Sequence, residues 1–168
     1  ELALWIWRVL NDKYYVSVLS STDTRPNEAI MKVRALIERY RDKFRRVETG
    51  LVFGTVAVRD EVGFVTTGRG KRELDSIAHV LSVDHDRRLV LIVGDRGKAS
   101  LNAPLLARLF EINRVSHIVH YHEQVPDLPT YTYARPGTVR DTNRPIYTSF
   151  NIAGHGCMLL FDKTGRQI

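Results

Sequence analysis

The chain has 168 residues, of which 26% are charged and 43% hydrophobic, and a formal net charge of +6. These fractions lie near the averages for a globular domain, which excludes a disordered charged tail with too few apolar residues to fold. The length suits one domain, burying roughly two-thirds of the surface its unfolded form exposes. The lone Cys157 excludes an internal disulfide and a Cys-rich zinc module.

No apolar run approaches the roughly 18 residues that cross a bilayer, so no membrane partner is expected. The stretch Leu2–Trp7 is apolar but lacks the basic start and small-residue cleavage site of a signal peptide. It reads as a helix or strand packed on something, and a cytoplasmic location is expected. Because the first residue is Glu1, the chain is expected to be a fragment, a processed form or a trimmed one. Residues 1–22 read as an N-terminal extension and residues 23–168 as the domain. Trp5, Trp7, Tyr14 and Tyr15 are expected to pack against that domain, a neighbouring subunit or a further domain.

In chain order, Tyr14–Ser20 is rich in aromatic and β-branched residues and predicts a strand. From Asn27 to about Arg46, the apolar residues Ile30, Val33, Ile37, Tyr40 and Phe44 recur at spacings of three and four, which predicts a helix. Its other face carries Lys32, Arg34, Arg39, Arg41, Lys43, Arg45 and Arg46, tempered by Glu38 and Asp42. A solvated helix face is the preferred reading of that charge over a nucleic-acid surface.

After Gly50, short β-type runs follow one another. Leu51–Arg59 and Gly63–Thr67 read as strands around a turn at Asp60-Glu61, with Val80–Val83 and Arg88–Val93 as two more. Asn102–Ile112 suits a helix with Pro104 in its first turn. Val115–His122 reads as a strand, Gln124–Arg144 as a proline-rich loop, and Thr148–Ile152 with Cys157–Phe161 as a closing hairpin. The pattern is α+β or α/β with a mixed sheet.

His120 and His122 are two residues apart on a predicted strand, which puts both rings on one face, about 7 Å apart along the chain. Two such imidazoles can converge on one ion, or satisfy themselves by hydrogen bonds to the backbone. His155 lies between Gly154 and Gly156, where the chain can bend sharply. His117 is out of phase with His120 and is expected to face the other way, in a structural role.

A second stretch, Val65-Thr-Thr-Gly-Arg-Gly-Lys-Arg72, has the makings of an anion-binding turn. Gly68 and Gly70 would free backbone amides, Thr66 and Thr67 would supply hydroxyls, and Arg69, Lys71 and Arg72 would add charge. A basic turn without a ligand is the alternative, and the Walker spacing is absent. Lys98-Ala-Ser-Leu-Asn102 offers further small polar groups at a helix start.

Taken in order, these motifs resemble the class II aldolase/adducin family, of the L-fuculose-phosphate aldolase type. Gly54-Thr-Val-Ala-Val-Arg59 resembles the family's Gly-Asn-x-Ser-x-Arg strand, and Phe64-Val-Thr-Thr-Gly68 its strand ending in a phosphate-binding turn. Val80-Leu-Ser-Val-Asp84 resembles the valine–aspartate strand, and Val115–His122 the metal strand. Tyr133-Ala-Arg-Pro-Gly-Thr138 resembles a Tyr-Ala-x-x-Gly-Thr stretch, and Asn151-Ile-Ala-Gly-His-Gly156 the segment of the third metal histidine. The resemblance covers about residues 27–162.

That resemblance implies a three-layer α/β/α sandwich with a central, mainly antiparallel sheet. It implies a homotetramer with sites at subunit interfaces, and a lyase or isomerase acting on a phosphorylated sugar or similar small carbonyl compound through a metal-stabilised enediolate. Zn2+, or another divalent ion, would be held by His120, His122 and His155. Thr55, Thr67, Gly68 and Ser100 would surround the substrate's phosphate. Arg69 and Lys71 join them on charge alone.

The family's acidic base departs. In place of its Ser-Ser-Glu stands Ala99-Ser-Leu-Asn-Ala103, with Asn102 or Ala103 where the acid belongs. An amide does not accept a proton at neutral pH. Glu123, Tyr133 or Asp141 is the substitute expected, although Glu123 on a regular strand faces away from both histidines. A non-catalytic scaffold that keeps the fold for assembly is the alternative function, and a nucleic-acid-binding module a third.

Overall fold

In a computed structural model, the described residues are 15–19, 27–74, 76–87, 89–93, 99–100, 102–133, 139–140 and 146–168; for 15–19, 132–133 and 139–140 the backbone alone is described. Expectations for Trp5, Trp7, Tyr14, Lys98 and Asp141, for the Tyr15 and Tyr133 side chains, and for most of residues 1–22 lie outside them.

Among the described residues, ten strands form one mixed sheet. In chain order they include β1 (Tyr15–Leu19), β4 (Thr55–Arg59), β5 (Phe64–Thr67), β6 (Ile77–Asp84), β7 (Leu89–Val93) and β8 (His117–Tyr121). The remainder are β9 (Thr130–Tyr133), β10 (Val139–Arg140), β11 (Phe150–Ile152) and β12 (Gly156–Phe161). Across the sheet the order is β1-β7-β6-β5-β4-β8-β12-β11-β9-β10. The pairs β1·β7 and β11·β9 are parallel and the others antiparallel. A separate hairpin pairs β2 (Arg45–Arg46) with β3 (Val52–Phe53).

Strand alternation sends successive side chains to opposite faces, and two apolar clusters result. On one face α1 (Glu28–Arg39) lays Ala29, Val33 and Ile37 against Val56, Val58, Val65, Val119, Leu159 and Phe161. On the other, α2 (Ala103–Phe110) lays Leu105, Leu106 and Leu109 against Val80, Ile92, Ile118 and Leu160. Each such fully buried Val, Leu or Ile contributes about 1.5–3 kcal/mol of transfer free energy. Asn27 caps α1, its Oδ1 accepting from the amide of Ala29 at 2.6 Å.

The expected three-layer α/β/α sandwich is not what forms. The protein is mostly β-sheet, with two α-helices among the described residues, each covering only part of one face. The turns after β4, β6 and β11 are too short to hold a covering helix. The first helix also ends earlier than its apolar spacing predicts. Tyr40 leaves helical geometry and Arg45-Arg46 pairs with Val52-Phe53 instead. Phe44 reaches the α1 cluster from beyond the helix end. The proline-rich segment also contains two short strands, β9 and β10.

Candidate metal centre

Register brings the site together at one end of β4, β8 and β12. His120 pairs with Thr55 of β4 on one side and Met158 of β12 on the other. Directly opposed residues on neighbouring strands share a face, here the α2 face, since Met158 lies in that cluster. His122 follows the end of β8, and His155 sits in the turn between β11 and β12.

That turn approaches closely because residue 156 is glycine. With φ at +111°, a Cβ there would lie 2.0 Å from the carbonyl oxygen of Tyr121 and 2.6 Å from the Cα of His122. The three rings consequently cluster. Centroids are 5.1 Å apart for His120 and His122, 5.2 Å for His120 and His155, and 4.8 Å for His122 and His155. One ring nitrogen from each lies within 4.8 Å of the others, with His120 buried, His155 half-buried and His122 exposed.

This donor set suits a metal ion. The Nδ1 of His120 lies 2.8 Å from the carbonyl oxygen of Cys157, an acceptor only. Nδ1 therefore carries the proton and Nε2 keeps its lone pair, the arrangement in which a backbone carbonyl orients a metal-binding histidine. Burial, then repulsion from His155, pushes His120 down to about 3. Burial, then His122, pushes His155 down to about 4. Burial, followed by the charges of Arg45 and Lys71, lowers His122. All three rings are neutral at physiological pH, as metal ligation requires. Tetrahedral zinc with Zn–N near 2.0–2.1 Å separates its ligand nitrogens by roughly 3.3 Å, within reach of small side-chain rotations. His120, His122 and His155 can hold a metal ion.

Beside His120, three polar groups converge. The Thr55 and Ser100 hydroxyls lie 3.2 Å apart, and the Asn102 side-chain amide donates to the Thr55 hydroxyl at 3.2 Å. Thr55 and Ser100 are both buried. The buried Lys71 ammonium donates to the Gly54 carbonyl at 2.6 Å, and burial lowers its pKa to about 8. Gly54 is required there, for at φ +128° a Cβ would lie 2.2 Å from the ring of Phe44.

Other expected site residues lie elsewhere. Thr67 shares the face of Val65, on the α1 side, and its hydroxyl accepts from the Val56 amide at 3.2 Å. The Gly68 amide donates to the Ser76 carbonyl at 2.6 Å, so it is not offered to an anion. Arg69 is exposed on the turn. The carboxylate of Glu123 accepts from Lys43 at 2.7 Å, and Lys43 in turn lies 5.8 Å from the centre of the Tyr121 ring, part of the α1-side cluster. Glu123 is thus held on the side of the sheet away from His120. His117, in its structural place, bonds the Asp162 carbonyl at 3.1 Å. Tyr133 contributes backbone to β9.

One neighbour has no signal in the sequence. Phe53 of β3 stacks on His122, with centroids 5.5 Å apart and planes at 18°. The antiparallel register that pairs Thr55 with His120, continued two residues beyond β4, brings Phe53 opposite His122.

Compared with known proteins, the sequence matches no family model and no curated protein. Among the described residues no helix is long and apolar enough to cross a membrane.

Proposed function

We propose that the protein is a divalent-metal-dependent lyase or isomerase acting on a phosphorylated sugar or similar small carbonyl compound. The observation that carries this reading is the cluster of three neutral histidines with one ring oriented by a backbone carbonyl. Zinc or another divalent ion suits this all-nitrogen set, and a site with three protein ligands leaves a position open for substrate. When bound, the ion supplies Lewis acidity to carbonyl and hydroxyl oxygens.

The chain's own residues supply orientation. Thr55, Ser100 and Asn102 offer hydroxyl and amide groups to substrate oxygens beside His120, in keeping with the phosphate role that the class II aldolase resemblance gives Thr55 and Ser100. Lys71, although burial lowers its pKa to about 8, stays mostly cationic at neutral pH and lies close by, where it favours an anionic ligand. A homotetramer belongs to the same proposal.

The test is metal-dependent uptake of deuterium from solvent at the carbon next to the carbonyl of a phosphorylated hydroxyketone, followed by proton NMR. Exchange in zinc-loaded protein, abolished by a chelator and by His122→Ala, is the expected result. A second reading, a metal-binding scaffold without catalysis, is favoured by Glu123: the carboxylate nearest in sequence is tied to Lys43 instead of facing the rings. Tight metal binding with no exchange would select the scaffold.

A further inference from the structure

Two ends of the candidate site differ in charge. Beside His120 stand neutral donors, the hydroxyls of Thr55 and Ser100 and the amide of Asn102. Beside His122 stand an aromatic ring and the Arg45 cation, while the charge of Lys71 reaches both His122 and His120. Phe53 stacks on His122, and Arg45 pairs directly with Phe53 across the β2·β3 hairpin. Directly opposed residues share a face, with Cβ atoms about 4.5–5.5 Å apart, so Arg45 belongs to the wall that Phe53 presents to His122. The hairpin is fixed to the body of the protein, since the Val52 amide donates to the Lys71 carbonyl at 2.9 Å. The same Lys71 sends its buried ammonium to Gly54, next to Phe53 in the chain. Arg45 itself is exposed and its neighbour Arg46 points to Glu73, 3.9 Å away.

We infer that the β2·β3 hairpin is the specificity wall of the site, and that Arg45, backed by Lys71, docks a second anionic group of the ligand beyond the oxygens that reach the metal. This rests on the metal-centred reading above and adds the substrate class: a small carbonyl compound with an anionic group at the His122 end. A guanidinium grips a carboxylate or phosphate through two parallel hydrogen bonds. The flat Phe53 ring beside it covers the carbon chain between the two anchored ends.

Malonate and acetate serve as probes of cobalt-loaded protein, read by the visible spectrum of the ion. Acetate can occupy the open metal position without reaching Arg45, whereas malonate places a second carboxylate beyond it. Arg45→Gln is expected to weaken malonate about tenfold, or ~1.4 kcal/mol, with Arg45→Lys intermediate, acetate unchanged and cobalt affinity not reduced. The malonate effect should shrink as salt is raised. Equal malonate affinities in wild type and Arg45→Gln, or equal losses for malonate and acetate, would overturn the inference while leaving the metal reading intact. Wild-type protein that takes up no cobalt would remove both.

Discussion

The Nδ1 of His120 faces the carbonyl oxygen of Cys157 at 2.8 Å, across the β8·β12 ladder. That bond fixes the ring's tautomer and aims its other nitrogen at His122 and His155. Because His120 is fully buried and His122 is exposed, the two can be separated experimentally. Replacing His122 removes a candidate ligand without opening the core. His122→Ala should keep the melting temperature of the metal-free protein within about 2 °C, consistent with an exposed substitution of under ~0.5 kcal/mol. It should also weaken zinc by more than the roughly 10–100-fold typical of losing an outer-shell partner. Competition against a chromophoric chelator measures this; unchanged affinity would remove His122 from the ligand set.

The depressed histidines also predict an acid-sensitive fold. Well above pH 6.5 the rings are neutral in both folded and unfolded chains and contribute no pH dependence. As pH falls below that, the unfolded chain takes up protons that His120 and His155 resist until about 3 and 4. The unfolded state then binds more protons, and stability falls with pH. The loss is at most about 1.4 kcal/mol per pH unit for each ring. Metal-free protein should melt several degrees lower at pH 5 than at pH 7, and His155→Asn should show a shallower fall. Parallel pH profiles for the two proteins would contradict this.

Gly156→Ala tests why the third histidine arrives. Its added Cβ would lie 2.0 Å from the Tyr121 carbonyl oxygen, and both that oxygen and the nearby His122 Cα are backbone atoms with little room to yield. Strain of this kind costs about 1–3 kcal/mol or more. The variant should lose at least that in urea unfolding, and should bind zinc more weakly because the β11–β12 turn shifts relative to His122. Zinc affinity equal to wild type would show that the close approach does not set the site.

Arg59 is a contrasting structural case. Its guanidinium donates to the carbonyls of Val115 at 2.9 Å and Ile112 at 3.2 Å, and also to that of Phe110 at the end of α2. Positive charge at a helix C-terminus is favourable. Arg59→Met keeps the stem and removes the donors, so it should cost about 1.5–3 kcal/mol in denaturant unfolding. Zinc affinity should stay unchanged, because Thr55 and Arg59 are at opposite ends of β4, roughly 13 Å apart. A parallel loss of zinc binding would contradict that separation.

Local chemistry explains what the sequence made legible. Two-residue spacing on a strand settles that His120 and His122 share a face, and three-and-four spacing settles that Ile30, Val33 and Ile37 share one side of α1. The end of that helix was not legible, because Tyr40 and Phe44 continue the same spacing after the chain has left the helix. The layer arrangement expected from the family resemblance also failed, since the number of covering helices depends on turns whose lengths the motif order does not fix. Arg45 read as one more charge on a helix face, and only the β2·β3 ladder carries it to Phe53 and His122. β9 was hidden in a proline-rich stretch because its pairing is tertiary, with Asn151 opposite Thr130 and the Asn151 side chain bonded to Val125. Strand alternation did hold the clue for Thr67, which faces the side opposite its neighbour Thr66.

Zinc X-ray absorption spectroscopy, with metal analysis, on wild-type protein and His122→Ala tests the central claim most directly. The expected result is one ion per wild-type chain, with three imidazole nitrogens at about 2.0–2.1 Å, and loss of that ion from the variant after dialysis. A wild-type protein that retains no zinc, or a variant that retains it equally with an unchanged shell, would contradict it.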